Sequence, residues 1–314
     1  MFQLSGSVVL GWALGSNDAA NVFGTAVASR MVRYRSAVMI AAVFILLGAV
    51  LQGHRGMQTI GGLAEQTTRS AMIVTFVAGL TVLLMTALKL PVSTNQAVVG
   101  VVIGIGLWID PTAVQWGGLG KVVICWVTAP VGAALIAAML YPTLGRLLDR
   151  LPLNLVTRSI VLRLALLVCG AYGAYALGAN STGNVSGAFL GTGVLAQAGH
   201  ERLLLTLLGG ASIALGVLTF SRRVMFTVGS RLVQLGAFSA LVALLAEAIT
   251  VHVYAFIGVP VSTSQAVVGA VVGIGVVKGI RTINASVLRR IVIGWVISPL
   301  IGGTAAYFAA WGLL

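Results

Sequence analysis

The sequence is short of charge: 8% of its 314 residues are charged, only six are acidic, three are histidine and two are cysteine. A soluble domain of this length needs many more charges to cover its surface, so that class is excluded. Scattered histidines and unpaired aspartates supply no metal cluster, carboxylate dyad or nucleophile–base pair, and an enzyme is not expected. Cys125 and Cys169, 44 positions apart within apolar runs, have no metal-ligand spacing and read as small buried thiols. Strand signals are weak and apolar runs long, which argues against a transmembrane barrel.

What is plentiful is apolar. Hydrophobic residues make up 59%, mean hydropathy is +1.06, and 40 glycines lie among them. Small residues let helices approach closely in lipid, where no hydrophobic force draws them together. The net charge of +13 does not point to nucleic acid, because the basic residues fall in short clusters between apolar runs. Those runs lie near 4–28, 37–53, 71–90, 92–108 and 121–141, then 161–198, 203–220, 237–259, 261–277 and 291–314. A helical span needs roughly 20 apolar residues, so about ten membrane segments are expected. The first is not expected to be a cleaved signal peptide, since it lacks a basic leader and holds Asn17, Asp18 and Asn21 at its centre.

The chain repeats itself. Residues 91–106 (PVSTNQAVVGVVIGIG) match 260–275 (PVSTSQAVVGAVVGIG) at 13 of 16 positions. Trp126 and Pro130 match Trp295 and Pro299 at the same offset of 169. Arg55, Met57, Thr59 and Gly61 match Arg223, Met225, Thr227 and Gly229 at an offset of 168. Gly15-Ser-Asn-Asp-Ala-Ala-Asn-Val22 matches Gly178-Ala-Asn-Ser-Thr-Gly-Asn-Val185 at 163. Residues 1–145 therefore form a first repeat, 146–160 a basic cytoplasmic connector and 161–314 a second repeat. With alternating segments, 15 of the 19 basic residues fall on one side, including Arg30, Arg33, Arg35, Lys89, Arg146, Arg150, Arg281 and Arg290. Arg55, Arg69, Lys121 and Arg202 fall on the other. The positive-inside rule makes the first side cytoplasmic. Five segments per repeat is an odd number, so the second copy enters from the opposite face and both termini are extracytoplasmic. The expected fold is an all-α polytopic membrane protein of two inverted-topology repeats, with interrupted helices or re-entrant hairpins at the centre, the plan of secondary transporters.

Two polar constellations carry the chemistry. Asn17, Asp18 and Asn21, with Asn180, Ser181 and Asn184 in the second copy, interrupt apolar segments. A carboxylate and amides at bilayer depth suit a cation such as Na⁺, or a proton; capping or helix–helix bonding is the structural alternative. Pro-Val-Ser-Thr occurs at 91–94 and 260–263. Proline leaves N–H groups of the next turn free, and a helix N-terminus with hydroxyls binds anions. Ser93, Thr94, Ser262 and Thr263, with Gln96 and Gln265 beside them, are the candidate donors to a tetrahedral oxyanion, and the same residues can also act simply as caps. Glu247, deep in an apolar run, is a possible additional charge site. His252 lies five positions on and off that helical face, and His54 and His200 read as interfacial.

In combination these motifs resemble the inorganic phosphate transporter family, the Pit-type cation–phosphate symporters, over nearly the whole chain. The resemblance implies carriage of phosphate with Na⁺ or H⁺ through the plasma (inner) membrane, no further cofactor, and often a homodimer. It places cations at Asn17, Asp18, Asn21, Asn180 and Asn184, and the anion at Ser93, Thr94, Ser262 and Thr263. The long cytoplasmic insert of the family's animal members is absent, which suggests a prokaryotic protein. Two departures stand out. Ser181 replaces a usual aspartate, and Asn95-Gln96 and Ser264-Gln265 replace pairs that often end in histidine. The broad family also includes sulfate permeases, and sulfate, with no proton to donate at neutral pH, would suit a site with fewer acidic acceptors; a passive anion channel is the remaining alternative.

Cysteines introduced into the 30–35, 222–231 and 278–290 connectors are expected to react only from the cytoplasmic side. Labelling of any of them in intact cells by an impermeant maleimide would overturn the proposed orientation.

Overall fold

The computed structural model describes residues 2–87, 93–195, 198–231, 236–279 and 285–314. Lys89, Pro91 and Arg281 lie outside them, as do the side chains of Arg223, Arg231 and Arg290. Most of the described residues are helical. The first half contains α1 (Ser5–Ala28), α2 (Tyr34–Gln52), α3 (His54–Gly61), α4 (Thr68–Ala87), α5 (Thr94–Ile109) and α6 (Trp116–Arg150). The second contains α7 (Leu155–Ser186), α8 (Glu201–Arg231), α9 (Ala237–Ile257), α10 (Thr263–Lys278) and α11 (Ala285–Leu313).

Seven of these, α2, α4, α6, α7, α8, α9 and α11, are long and apolar enough to cross a membrane, and large apolar side chains such as Val127, Leu135, Met139, Leu164, Val168 and Leu300 are exposed along them. The chain is a multi-pass membrane protein. Helices α5 and α10 have 16 residues each. At 1.5 Å per residue they reach about 24 Å, short of a hydrocarbon core of about 30 Å. α1 is long enough but carries the polar motif, and most of it is buried by the other helices.

Three sequence expectations are modified. The polar motifs lower hydropathy without breaking the backbone: α1 and α7 run unbroken through Asn17–Asn21 and Asn180–Asn184. The described break lies instead at the second Pro-Val-Ser-Thr segment, between α9 and α10, and α5 starts at Thr94 of the first. The basic stretch 146–160 is carried mostly on helix ends, since α6 continues past Pro142 to Arg150 and α7 begins at Leu155. An exposed Arg158–Asp149 ion pair at 3.0 Å spans the turn between them. Cys125 and Cys169 are half-buried free thiols, more open than the sequence implied.

The two halves pack reciprocally. α1 lies on α8 as α7 lies on α2, and α5 lies on α11 as α10 lies on α6. The correspondence reaches single atoms. A Cβ on Gly15 would sit 2.0 Å from the carbonyl oxygen of Ile213, and one on Gly178 would sit 2.0 Å from that of Ile45. A Cβ on Gly100 would meet the Pro299 carbonyl oxygen at 2.1 Å, and one on Gly269 the Pro130 carbonyl oxygen at 2.1 Å. Each partner is the repeat-equivalent of the other, so residue i touches j and j touches i, the signature of a two-fold relation.

These seams tolerate no side chain. Gly100→Val and Gly269→Val are each expected to lower the thermal midpoint of the detergent-solubilised protein, with overpacking costing about 1–3 kcal/mol. Gly132→Ala, where an added Cβ meets nothing within 4 Å, should leave it unchanged. Equal midpoints for all three would contradict this packing.

Candidate functional site

The second break shows how the chain stops and restarts. Gly258 ends α9 at φ +87°, a left-handed conformation suited to glycine, and its N–H reaches back to the carbonyl of Tyr254 at 2.9 Å. After Pro260 and the buried Val261, Ser262 caps α10 by accepting the Gln265 N–H at 3.3 Å. Ser93 caps α5 in the same way, accepting from the Gln96 N–H at 3.4 Å. The capping expected of both serines is therefore present.

The broken backbone is tied from several helices. Asn180 of α7 accepts the Val261 N–H at 2.9 Å and donates to the Val261 carbonyl at 2.8 Å. Asn95 of α5 donates to the same carbonyl and accepts from Asn184 at 2.5 Å. From α3, Arg55 donates to the Phe256 carbonyl at 2.5 Å and lies over the Phe256 ring, while Thr59 donates to the Gly258 carbonyl at 2.6 Å. An open cleft of about 490 Å³ lies alongside, lined by His54, Arg55, Gln58, Thr59 and Arg202.

On the other side of the centre, α1 meets the first residues of both short helices. Thr94 donates to Asp18 Oδ2 at 3.0 Å, Asn17 donates to Asp18 Oδ1 at 2.9 Å, and Asn21 donates to Thr263 Oγ1 at 3.0 Å. The N-termini of α5 and α10, one from each half, thus converge on a single turn of α1. Both termini direct partial positive charge there. Asp18, Asn21, Asn180, Ser181, Asn184, Ser93, Thr94, Ser262, Thr263, Gln96 and Gln265 are all buried, and Asn17 is partly so. The anion and cation candidates are therefore not two separate groups, because both threonines are engaged with the α1 motif.

Several buried oxygens have no hydrogen-bond partner: Gln96 Oε1, Gln265 Oε1, Asn184 Oδ1 and both oxygens of Glu247. All can accept, and the amide oxygens cannot donate to an anion. No lysine or arginine is buried among the described residues.

Asn95, Arg55 and Thr59 were not among the candidate site residues. Asn95 is one of three positions at which the long repeat differs, facing Ser264. Arg55 and Thr59 were visible as a repeated motif, but nothing in the motif says that it holds a carbonyl 200 residues away. His252 bonds Tyr172 at 2.8 Å and Gln52 at 2.9 Å.

Helices of membrane-spanning length around a buried polar centre, with two short helices entering it from different halves, define a membrane transport protein. The sequence model of the Phosphate transporter family matches residues 14–306, and the chain belongs to that family. It is 28% identical to a protein of Methanocaldococcus jannaschii over 94% of this chain and 91% of the relative. It is 26% identical to one of Haemophilus influenzae over 96% and 92%. Both are named "Putative phosphate permease". A solved structure, "The sodium-dependent phosphate transporter", superposes with a TM-score of 0.86 at 24% identity, covering 100% of this chain and 99% of that one; it establishes the fold.

Asn180→Ala leaves the buried Val261 N–H without a partner, at about 1–3 kcal/mol, and leaves the Val261 carbonyl with Asn95 alone. It should lower the thermal midpoint well below that of Asn17→Ala, whose amide bonds only its neighbour Asp18. The reverse order in a detergent melt would refute this account of the break.

Proposed function

We propose that the protein carries inorganic phosphate across the plasma (inner) membrane in symport with a monovalent cation, Na⁺ or H⁺. The observation that carries this reading is the meeting of the α5 and α10 N-termini at Asp18, amid buried oxygens without partners and without any buried lysine or arginine. A multiply charged anion brought there needs positive charge, and helix N-termini supply only partial charges. Bound cations supply the rest, held by Asp18, Asn17, Asn21, Asn180, Ser181 and Asn184. Ser93, Thr94, Ser262 and Thr263, with Gln96 and Gln265 adjacent, hold the anion. The naming of the relatives as phosphate permeases and of the structural neighbour as sodium-dependent supports the choice of phosphate and favours Na⁺.

Reciprocal packing of halves 1–145 and 161–314 supports an inverted arrangement, in which the starts of α5 and α10 approach the site from opposite faces and both termini are extracytoplasmic. On that arrangement Arg55 and Arg202 stand at the outer mouth, where their charge draws anions toward the α9–α10 break.

Purified protein in proteoliposomes should accumulate labelled phosphate, saturably, only under an inward cation gradient. Arsenate should compete, and sulfate should compete less. Asp18→Asn keeps the shape and removes the charge, so accumulation against a gradient should cease even where exchange survives, while Ser181→Ala should be mild. Ser93→Ala and Ser262→Ala should each weaken phosphate affinity about tenfold, the loss of one hydrogen bond in a dry site. Undiminished accumulation by Asp18→Asn, or flux in the wild type that neither saturates nor follows a cation gradient, would refute the symport reading.

A further inference from the structure

Of the chain's six acidic residues, two are buried among the described residues: Asp18 and Glu247. Asp18 is hydrogen-bonded on both oxygens, whereas Glu247 is 1% exposed and bonded on neither. Its helix surrounds it with Ala243, Ala246, Ala248 and Val251, all buried, and the Thr250 hydroxyl is committed to the Ala246 carbonyl at 2.7 Å. A carboxylate kept for structure would have a basic or hydrogen-bonding partner, because burying one without either is among the costliest arrangements a membrane interior allows. Glu247 has none, so its retention in the core is not explained by packing.

Its surroundings place it beside the transport site. Gly173 of α7 lies where Val22 of α1 meets Leu244 and Ala248 of α9, and Glu247 interacts electrostatically with Asp18. The repeat gives the position its meaning. Asp18 corresponds to Ser181, and Glu247 corresponds, at the offset of 169, to Ala78. Each half therefore brings one carboxylate to the centre, the first from its leading helix α1 and the second from the helix before the break, α9.

We propose that Glu247 is a second cation site, binding one monovalent cation that travels with the anion and supplying for the second half the negative charge that Ser181 does not. This rests on the transport reading above. The chemistry shared by Na⁺ and H⁺ is a single positive charge. The neighbourhood suits a proton, since a hard metal cation gathers several oxygens and no group hydrogen-bonds to either oxygen of Glu247. The ionisable groups facing it are Asp18 from α1 and Tyr172 from α7. Tyr172 bonds His252 on the same helix as Glu247, and His252 bonds Gln52 at the end of α2, giving a line of exchangeable groups that leads away from the core. α10 and α6 bring Lys278 and Tyr141 only to the first turn of α9, at Ser239 and Phe238.

The test is the charge moved per phosphate, read from the membrane potential at which net flux reverses in proteoliposomes clamped with potassium and valinomycin. Glu247→Gln should move one elementary charge fewer per phosphate than the wild type, and Ser181→Asp added to it should restore the lost charge. Loss of ²²Na⁺ co-uptake in Glu247→Gln would assign the site to sodium, and loss of phosphate-linked lumenal acidification would assign it to a proton; either supports the proposal. An unchanged charge ratio in Glu247→Gln would overturn it. Should that variant fail to fold, Glu247→Asp takes its place: the proposal requires it to keep the wild-type ratio, and a changed ratio counts against it. Failure of the transport reading is separately visible, as absence of phosphate flux in the wild type.

Discussion

Hydrocarbon offers no hydrogen bonds, so a helix that breaks inside a membrane protein must find partners for its freed backbone groups within the protein itself. The centre of this molecule is arranged around that demand. At the second break, Asn180 takes both polar groups of Val261, Asn95 adds a bond to its carbonyl, Ser262 caps the restarting helix, and Arg55 and Thr59 hold the carbonyls of Phe256 and Gly258. These side chains come from α3, α5, α7 and the break itself. With about 1–3 kcal/mol at stake for each buried group left unpaired, fastening one break fixes the relative positions of helices from both halves.

The apolar seams follow from the same breaks. Because α5 and α10 are too short to span, each lies against one long, proline-containing helix, α11 and α6 respectively. The contact is made at Gly100 on Pro299 and at Gly269 on Pro130. Glycine there lets one backbone touch another, and dispersion over such close contact replaces the hydrophobic drive that lipid does not provide. Polar and apolar contacts are thus laid out in different places. Amides, hydroxyls and carboxylates occupy the middle, and glycine against carbonyl occupies the seams.

Much of this was legible in the sequence. Composition identified a membrane protein, and the apolar runs located ten of the eleven α-helices among the described residues. Pro-Val-Ser-Thr marked the break between α9 and α10 and the capped start of α5, because a capping serine and an internal repeat coincide at both. Continuity of α1 and α7 was not legible, since hydropathy measures the cost of a side chain in lipid and says nothing of the i to i−4 bonds, which asparagine and aspartate need not disturb. The eight-residue α3 was missed because it is too short and too polar to register as a run. Asn95 bonds partners 89 and 166 residues away, and no local pattern encodes such distances. That the threonines serve the α1 motif as well as the helix starts depends on how the halves meet, which a sequence shows only as a duplication.

The turn at 151–154 that joins α6 to α7 is four residues long, and its consequence is hereditary as much as mechanical. Two identical half-length chains related by a two-fold axis would carry every inner residue twice, so a carboxylate could be gained or lost only in pairs. Covalent joining lets the two sides of one contact diverge independently. Asp18 can face its own altered copy at Ser181, Asn95 can answer Ser264, and Glu247 can arise where the other half keeps Ala78. A short tether thereby converts a symmetric container into one whose interior charge can be set one unit at a time.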